Sequence, residues 1–218
     1  RAYFQNQTRA FLSLPEVTET LPLQEPFLSR DTPSTFVGRD TEIQGIRSFL
    51  DSEKIFLVIH GSGGVGKTRL ALEASEQIAA DGYWNVMWAN VASMEANGSW
   101  FDAIVPERPT LLVVDEPENE SILRVLAEQL GAKLGRTSRW KIVITARSPK
   151  DPVLKFLFGP RMKSRVDQLC LTALTQADAE LMCADLINTG PLSNDPTEWR
   201  ESVSKELSKR FASHPVWL

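Results

Sequence analysis

Residues Ile55 to Ala80, IFLVIHGSGGVGKTRLALEASEQIAA, decide the fold. Ile55 to Ile59 form a continuous apolar run of the length of a strand buried on both faces. The stretch from Arg69 to Ala80 consists of good helix formers. Between them stand Gly61, four further residues, Gly66, Lys67 and Thr68. Glycines at 61, 63, 64 and 66 let the backbone curl so that successive N–H groups converge, and the helix that follows points its positive end at the same place. Such a cradle suits phosphate oxygens. Lys67 adds a point charge between terminal phosphates, and the Thr68 hydroxyl suits Mg2+. The expected binding loop is Gly61, Ser62, Gly63, Gly64, Val65, Gly66, Lys67 and Thr68, with Arg69 directly after it.

A phosphate cradle alone does not hold a metal or activate water, so a second strand should end in carboxylates. TLLVVDEP supplies it: Leu111 to Val114 are apolar and deliver Asp115 to the carboxyl edge of the sheet, where open α/β sheets bind their ligands. Asp115 is expected in the metal shell with Thr68. Glu116 is placed to orient or deprotonate a water. A third strand, KIVIT, ends in Ala146 and Arg147, bringing a guanidinium to the same edge to sense a terminal phosphate.

Outward from this centre, Ile43, Ile46, Phe49 and Leu50 recur at helical spacing within TEIQGIRSFL. Trp84–Val91, Thr110–Val114 and Lys141–Thr145 read as strands, and Ser121–Leu134 as an amphipathic helix. Strands alternating with helices imply a parallel sheet covered on both faces. After a short strand-like piece at Leu169–Leu171, helical periodicity dominates over Gln176–Ile187 and Thr197–Phe211. We therefore expect an α/β nucleotide-binding domain over 34–173 and a small helical lid subdomain over 174–218. Residues 1–33, with Pro15, Pro22, Pro26 and Pro33 spaced through them, read as extended linker leaving an upstream segment.

Composition narrows the class. The chain has 218 residues, 42% hydrophobic and 24% charged, which is ordinary for a globular domain with a small appendage. Its net charge of −4 offers no bulk attraction for nucleic acid; Arg161, Lys163 and Arg165 form only a small basic cluster. Cys170 and Cys183 lack partners at metal-ligand spacing and read as reduced core residues of a cytosolic protein. No apolar stretch reaches the roughly 18 residues that a bilayer crossing needs, and no signal peptide opens the chain. The start at Arg1 and the end after the apolar PVWL suggest part of something longer.

With TFVGRD at Thr35–Asp40, then GSGGVGKT, LLVVDE and ITAR in this order, the chain resembles the STAND branch of the AAA+ P-loop ATPases, which includes the NB-ARC and NACHT proteins. The resemblance spans Thr35 to Leu218 and implies ATP or ADP with Mg2+ as ligands. It implies that Phe36, Val37 and Arg39 lie on the adenine side, that Arg147 is the sensor arginine, and that Pro215 packs near the nucleotide. The family's Gly-x-Pro element is here Ser213, His214 and Pro215, with serine replacing glycine. Only eighteen residues separate Val91 from Thr110, so a partial helix around Trp100–Ile104 is expected where the family has a longer connection. The family's winged-helix part is expected beyond Leu218.

The resemblance thus implies a slow, regulatory ATPase switch that controls oligomerisation, placed between an upstream effector and a downstream sensor, in roles such as innate immunity or antiphage defence. Two other functions compete: a scaffold that binds nucleotide without turnover, and a DNA-associated AAA+ ATPase of the origin-recognition type. The acidic balance counts against the last.

Overall fold

The computed structural model describes residues 11–20, 36–90, 108–117, 120–133, 140–189 and 197–213. The expected helix at Trp100–Ile104 and Pro215 lie outside them. The elements are β1 (Phe11–Ser13), α1 (Leu14–Thr20), α2 (Asp40–Asp51), β2 (Phe56–His60), α3 (Lys67–Ala80), β3 (Asn85–Ala89), β4 (Thr110–Val114), α4 (Glu120–Lys133), β5 (Trp140–Ala146), β6 (Val166–Cys170), α5 (Gln176–Thr189) and α6 (Thr197–Ser213). Two single turns of 3-10 helix, Pro152–Leu154 and Lys163–Arg165, connect β5 to β6.

The strands form one sheet in the order β1-β3-β4-β5-β2-β6, parallel throughout except for β1. Strand alternation sends neighbouring side chains to opposite faces. Leu57, Ile59, Leu111, Val113 and Val143 pack on one face with Ile43, Ile46 and Phe49 of α2 and Leu70 and Ile78 of α3. Phe56, Val58, Leu112, Val114, Ile142 and Ile144 form the other face with Ile122, Leu123 and Leu126 of α4. Every residue of β4 and β5 is buried. The α/β sheet with helices on both faces is thus as the sequence implies. The helices α5 and α6 pack on each other, and Gln176 of α5 donates to the Ser208 hydroxyl of α6 at 3.1 Å.

Two readings need correction. The segment before Pro22 is not simply extended: β1 adds antiparallel to β3, pairing Phe11 with Ala89 and Ser13 with Met87, and α1 follows at once. Glu16 Oε2 accepts hydrogen bonds from the Ser13 amide at 2.8 Å and the Ser13 hydroxyl at 2.7 Å, which ties the first turn of α1 to the residue before it. Pro15 lies in that turn, where its missing N–H costs nothing. Val17 is then buried against the sheet domain. The second correction concerns Cys170, which ends β6 exposed; only Cys183 is buried, and burial pushes its thiol up to about 11.

One buried cation holds the entry to β2. Lys141, mid-strand in β5 and only 6% exposed, places Nζ against the carbonyls of Phe49 (3.1 Å), Ser52 and Lys54 (2.6 Å), and 5.0 Å from the centre of the Phe49 ring. Three ammonium donors thus meet three carbonyls at the negative end of α2. Burial lowers its pKa from the ordinary lysine value. Among the described residues no helix is long and apolar enough to cross a membrane. We expect Lys141→Met, which keeps the aliphatic stem and removes the donors, to lower the unfolding free energy by about 3 kcal/mol. Urea titration checks this; a loss below about 1 kcal/mol would mean that water serves those carbonyls instead.

Candidate functional site

The apolar run of β2 leads straight into the glycine loop. At Gly61 a Cβ would stand 2.3 Å from the Leu171 carbonyl oxygen, because the chain leaving β6 crosses directly beside the loop's first residue. Leu171 also donates its amide to the His60 carbonyl at 2.7 Å. Gly66 takes the left-handed conformation at φ 93° and caps α3 without any side-chain hydrogen bond, leaving the helix N-terminus open. Among the described residues, the amides of Gly63, Gly64, Gly66 and Lys67 donate to no backbone carbonyl. That is the donor set of an anion cradle. Lys67 is buried to 4% exposure, and its Nζ reaches the Ser62 carbonyl at 3.2 Å.

The order of the strands places β5 between the strand of the loop and the strand of the carboxylates. Thr145, fully buried near the end of β5, therefore stands beside Asp115. Its hydroxyl donates to Asp115 Oδ1 at 2.6 Å and accepts the Glu116 amide at 2.9 Å. The Thr68 hydroxyl meets the two carboxylate oxygens of Asp115 at 2.9 and 3.1 Å. Burial raises the Asp115 pKa above the usual carboxylate value; the Thr145 and Thr68 hydroxyls pull against that shift.

Glu116 is the one non-glycine residue with positive φ among those described, at 36°. The turn aims its carboxylate back over the loop: Oε1 lies 3.3 Å from Lys67 Nζ and Oε2 lies 3.6 Å from Arg147 Nε. Arg147 is 76% exposed. An open cavity of about 380 Å³ adjoins this pair, lined by Glu116, Thr145, Arg147, Asp151 and Leu154 among others. A small nucleophile has room beside the Glu116 carboxylate. The hydroxyl of Thr68 and the carboxylate of Asp115 fit a hard cation that takes oxygen ligands, which matches Mg2+. Among the described residues no group of three or more His, Cys, Asp or Glu gathers to hold a metal, so such an ion would complete its shell from phosphate oxygens and water.

The residues before α2 divide. Phe36 and Val37 are partly exposed, and the Arg69 guanidinium lies 5.6 Å from the centre of the Phe36 ring. Arg69 also pairs with Glu73 at 3.3 Å. The Arg39 side chain is buried and turned inward, onto Glu42 at 2.8 Å and onto the backbone carbonyls of Thr172 and Val65 at 2.6 and 3.4 Å. The structure thus brings Lys67, Thr68, Asp115, Glu116 and Arg147 together and sets the Arg39 guanidinium apart from them. Sequence reasoning gave Thr145 no role. Its signal was a hydroxyl near the carboxyl end of a mostly apolar strand, two positions before Arg147.

Comparison with known proteins agrees with this geometry. A family model described as AAA ATPase domain matches residues 35–213. An uncharacterized protein of Mycobacterium bovis and one of Mycobacterium tuberculosis are each 34% identical over 87 residues, which is 38% of this chain and 22% of theirs. The match thus covers under a quarter of those relatives. Among solved structures, the ORC2 protein of Aeropyrum pernix, described in ADPNP and ADP complexes, is 16% identical with a TM-score of 0.54, over 75% of this chain and 55% of that one. The ADP complex of Hsp104 from S. cerevisiae is 13% identical with a TM-score of 0.58, over 83% of this chain and 27% of the other. The E. coli HORMA:CdnC:Trip13 complex gives 12% and 0.53, over 78% and 72%. These likenesses show a shared fold. The family match over residues 35–213 shows that the chain belongs to the AAA ATPase domain family.

Proposed function

We propose that this domain binds ATP with Mg2+ at the loop Gly61–Thr68 and hydrolyses it slowly, as the nucleotide switch of a larger signalling ATPase of the STAND type. One observation carries the reading: the chain of contacts from Thr68 through Asp115 and Thr145 to the Glu116 amide, closed by the ion pair from Glu116 to Lys67. Phosphate-binding, metal-binding and water-activating groups are linked there within hydrogen-bond distance.

Lys67 and the loop amides would hold the phosphates, and Thr68 with Asp115 would hold the cation. When bound, the cation neutralises charge on the phosphate oxygens. Lys67 supplies positive charge to the terminal phosphates and, in doing so, must let go of Glu116. The freed carboxylate then orients a water and accepts its proton. Arg147, exposed on the opposite side of Glu116, is available to the terminal phosphate once that pair opens. Slow turnover accords with a base that starts the cycle held by two cations. The order of TFVGRD, the loop, LLVVDE and ITAR supports the STAND branch, as does the helical hairpin after β6. In this reading Phe36, Val37 and the backbone at Arg39 border the adenine, residues from 174 onward form the lid, and self-association with effector and sensor parts completes the machine.

Lys67→Ala should weaken ATP binding about a hundredfold, since a buried charge and its hydrogen bonds are lost together; calorimetry measures it, and retained affinity would sink the site. Glu116→Gln should preserve ATP affinity and lower phosphate release about a hundredfold or more. An unchanged release rate would favour the non-hydrolysing scaffold, and a salt-sensitive shift on duplex DNA would favour the origin-recognition type.

Asp115→Asn separates metal binding from folding. With its pKa raised in the fold, the Asp115 carboxyl binds its proton more tightly when folded than when unfolded. Stability from this group is therefore present at low pH and is lost as pH rises through the folded pKa. Asparagine keeps the shape without the buried charge. The nucleotide-free variant should melt no lower than the parent at neutral pH, its relative advantage should shrink on acidification, and ATP binding should cease to depend on magnesium. A variant destabilised equally at every pH would refute this account of Asp115.

A further inference from the structure

We propose that Arg39 is a positioning residue that couples the phosphate loop to the helical hairpin. The inference rests on the ATP-binding reading above and adds a route by which occupancy of the loop reaches α5 and α6. Arg39 stands just ahead of α2, 94% buried. A single nitrogen, Nη2, is shared between the Val65 carbonyl inside the loop, at 3.4 Å, and the Thr172 carbonyl in the connection from β6 to α5, at 2.6 Å. Glu42 fixes the other terminal nitrogen at 2.8 Å, in an ion pair whose partners are 7% and 18% exposed. A planar fork clamped on one side and shared on the other transmits displacement well, because a charged donor to a backbone carbonyl is a strong, directional bond.

The surroundings leave little slack. Gly38, at φ 72°, presents its bare backbone to the first turn of α5; a Cβ there would stand 2.4 Å from Asp178 Cγ. Asp178 in turn accepts from the Thr175 hydroxyl at 2.6 Å and returns its amide to it at 3.2 Å, fixing the start of α5. Gly61 abuts the Leu171 carbonyl. Three segments meet here: the loop, the residues before α2, and the root of the hairpin. Backbone groups make much of this contact, and the Arg39 side chain bonds to both the first and the third. The shared nitrogen sits closer to the hairpin root than to the loop. Closure of the loop on phosphates shifts the Val65 carbonyl and changes the balance at Nη2, which moves Thr172 and with it the entry to α5.

Hydrogen exchange of residues 172–180, with and without magnesium ATP, tests this on the whole chain, with calorimetry run in parallel. In the parent, ATP should slow exchange across this segment about tenfold. In Arg39→Ala, ATP should still bind, and the ATP-induced slowing should vanish although the nucleotide-free rates of the sheet are unchanged. Arg39→Lys keeps the charge but lacks the fork, and should give the same loss of coupling if the alanine variant proves too unstable to handle. Full ATP-induced protection in both variants would overturn the inference. So would loss of preference for ATP over GTP with protection intact, since that marks Arg39 as a base contact. A parent chain that takes up no ATP would overturn the ATP-binding reading itself, a result distinct from binding without coupling.

Discussion

The buried hydroxyl of Thr145 is the constraint on which the site depends. It is fully buried at the carboxyl end of β5, and both of its hydrogen-bonding functions are used, one toward Asp115 and one toward the Glu116 amide. A hydroxyl in that position fixes the direction of the carboxylate and the turn that follows it at the same time. The sheet order makes this possible: β5 is inserted between β2 and β4, so the group at its end is within reach of the acidic pair that closes β4. Asp115 itself meets Thr68 directly, and the Thr145 hydroxyl ties the Glu116 backbone to the same carboxylate.

Much of this was legible in the sequence, and the reason is local. Continuous apolar runs mark buried strands, so Phe56–His60, Thr110–Val114 and Trp140–Ala146 appear within a residue or so of the expected spans. The loop declares itself because its glycines serve backbone geometry, which spacing reports directly. The misreadings concern partners that spacing does not report. Pro15 looked like a helix breaker because the reading missed Ser13 and Glu16, which start a helix around it. Cys170 looked like core because Leu169 and Leu171 flank it, but it closes an edge strand and is exposed there. Thr145 is the subtler omission: sequence shows a hydroxyl, and only the strand order shows which carboxylate it serves. Arg39 differs again, since residues 133 positions away decide where its guanidinium goes.

The contacts around Glu116 combine strain with charge. Positive φ on a non-glycine residue persists when its surroundings over-determine it. Here the Thr145 hydroxyl holds the backbone, and two cations hold the carboxylate. The two cations differ in what binding them to phosphate entails. Lys67 is buried, so its charge needs a partner, and Glu116 fills that role; in the proposed cycle phosphate would take its place. Arg147 is mostly in water, where an ion pair contributes little to stability, so its contact with Glu116 constrains the carboxylate without anchoring it. In the proposed cycle, replacement of Glu116 at Lys67 would be the step with energetic weight, and the same exchange would both seat the phosphate and release the base. In the proposed cycle, binding and activation would be coupled through Lys67, because its one buried charge would serve two anionic partners in turn.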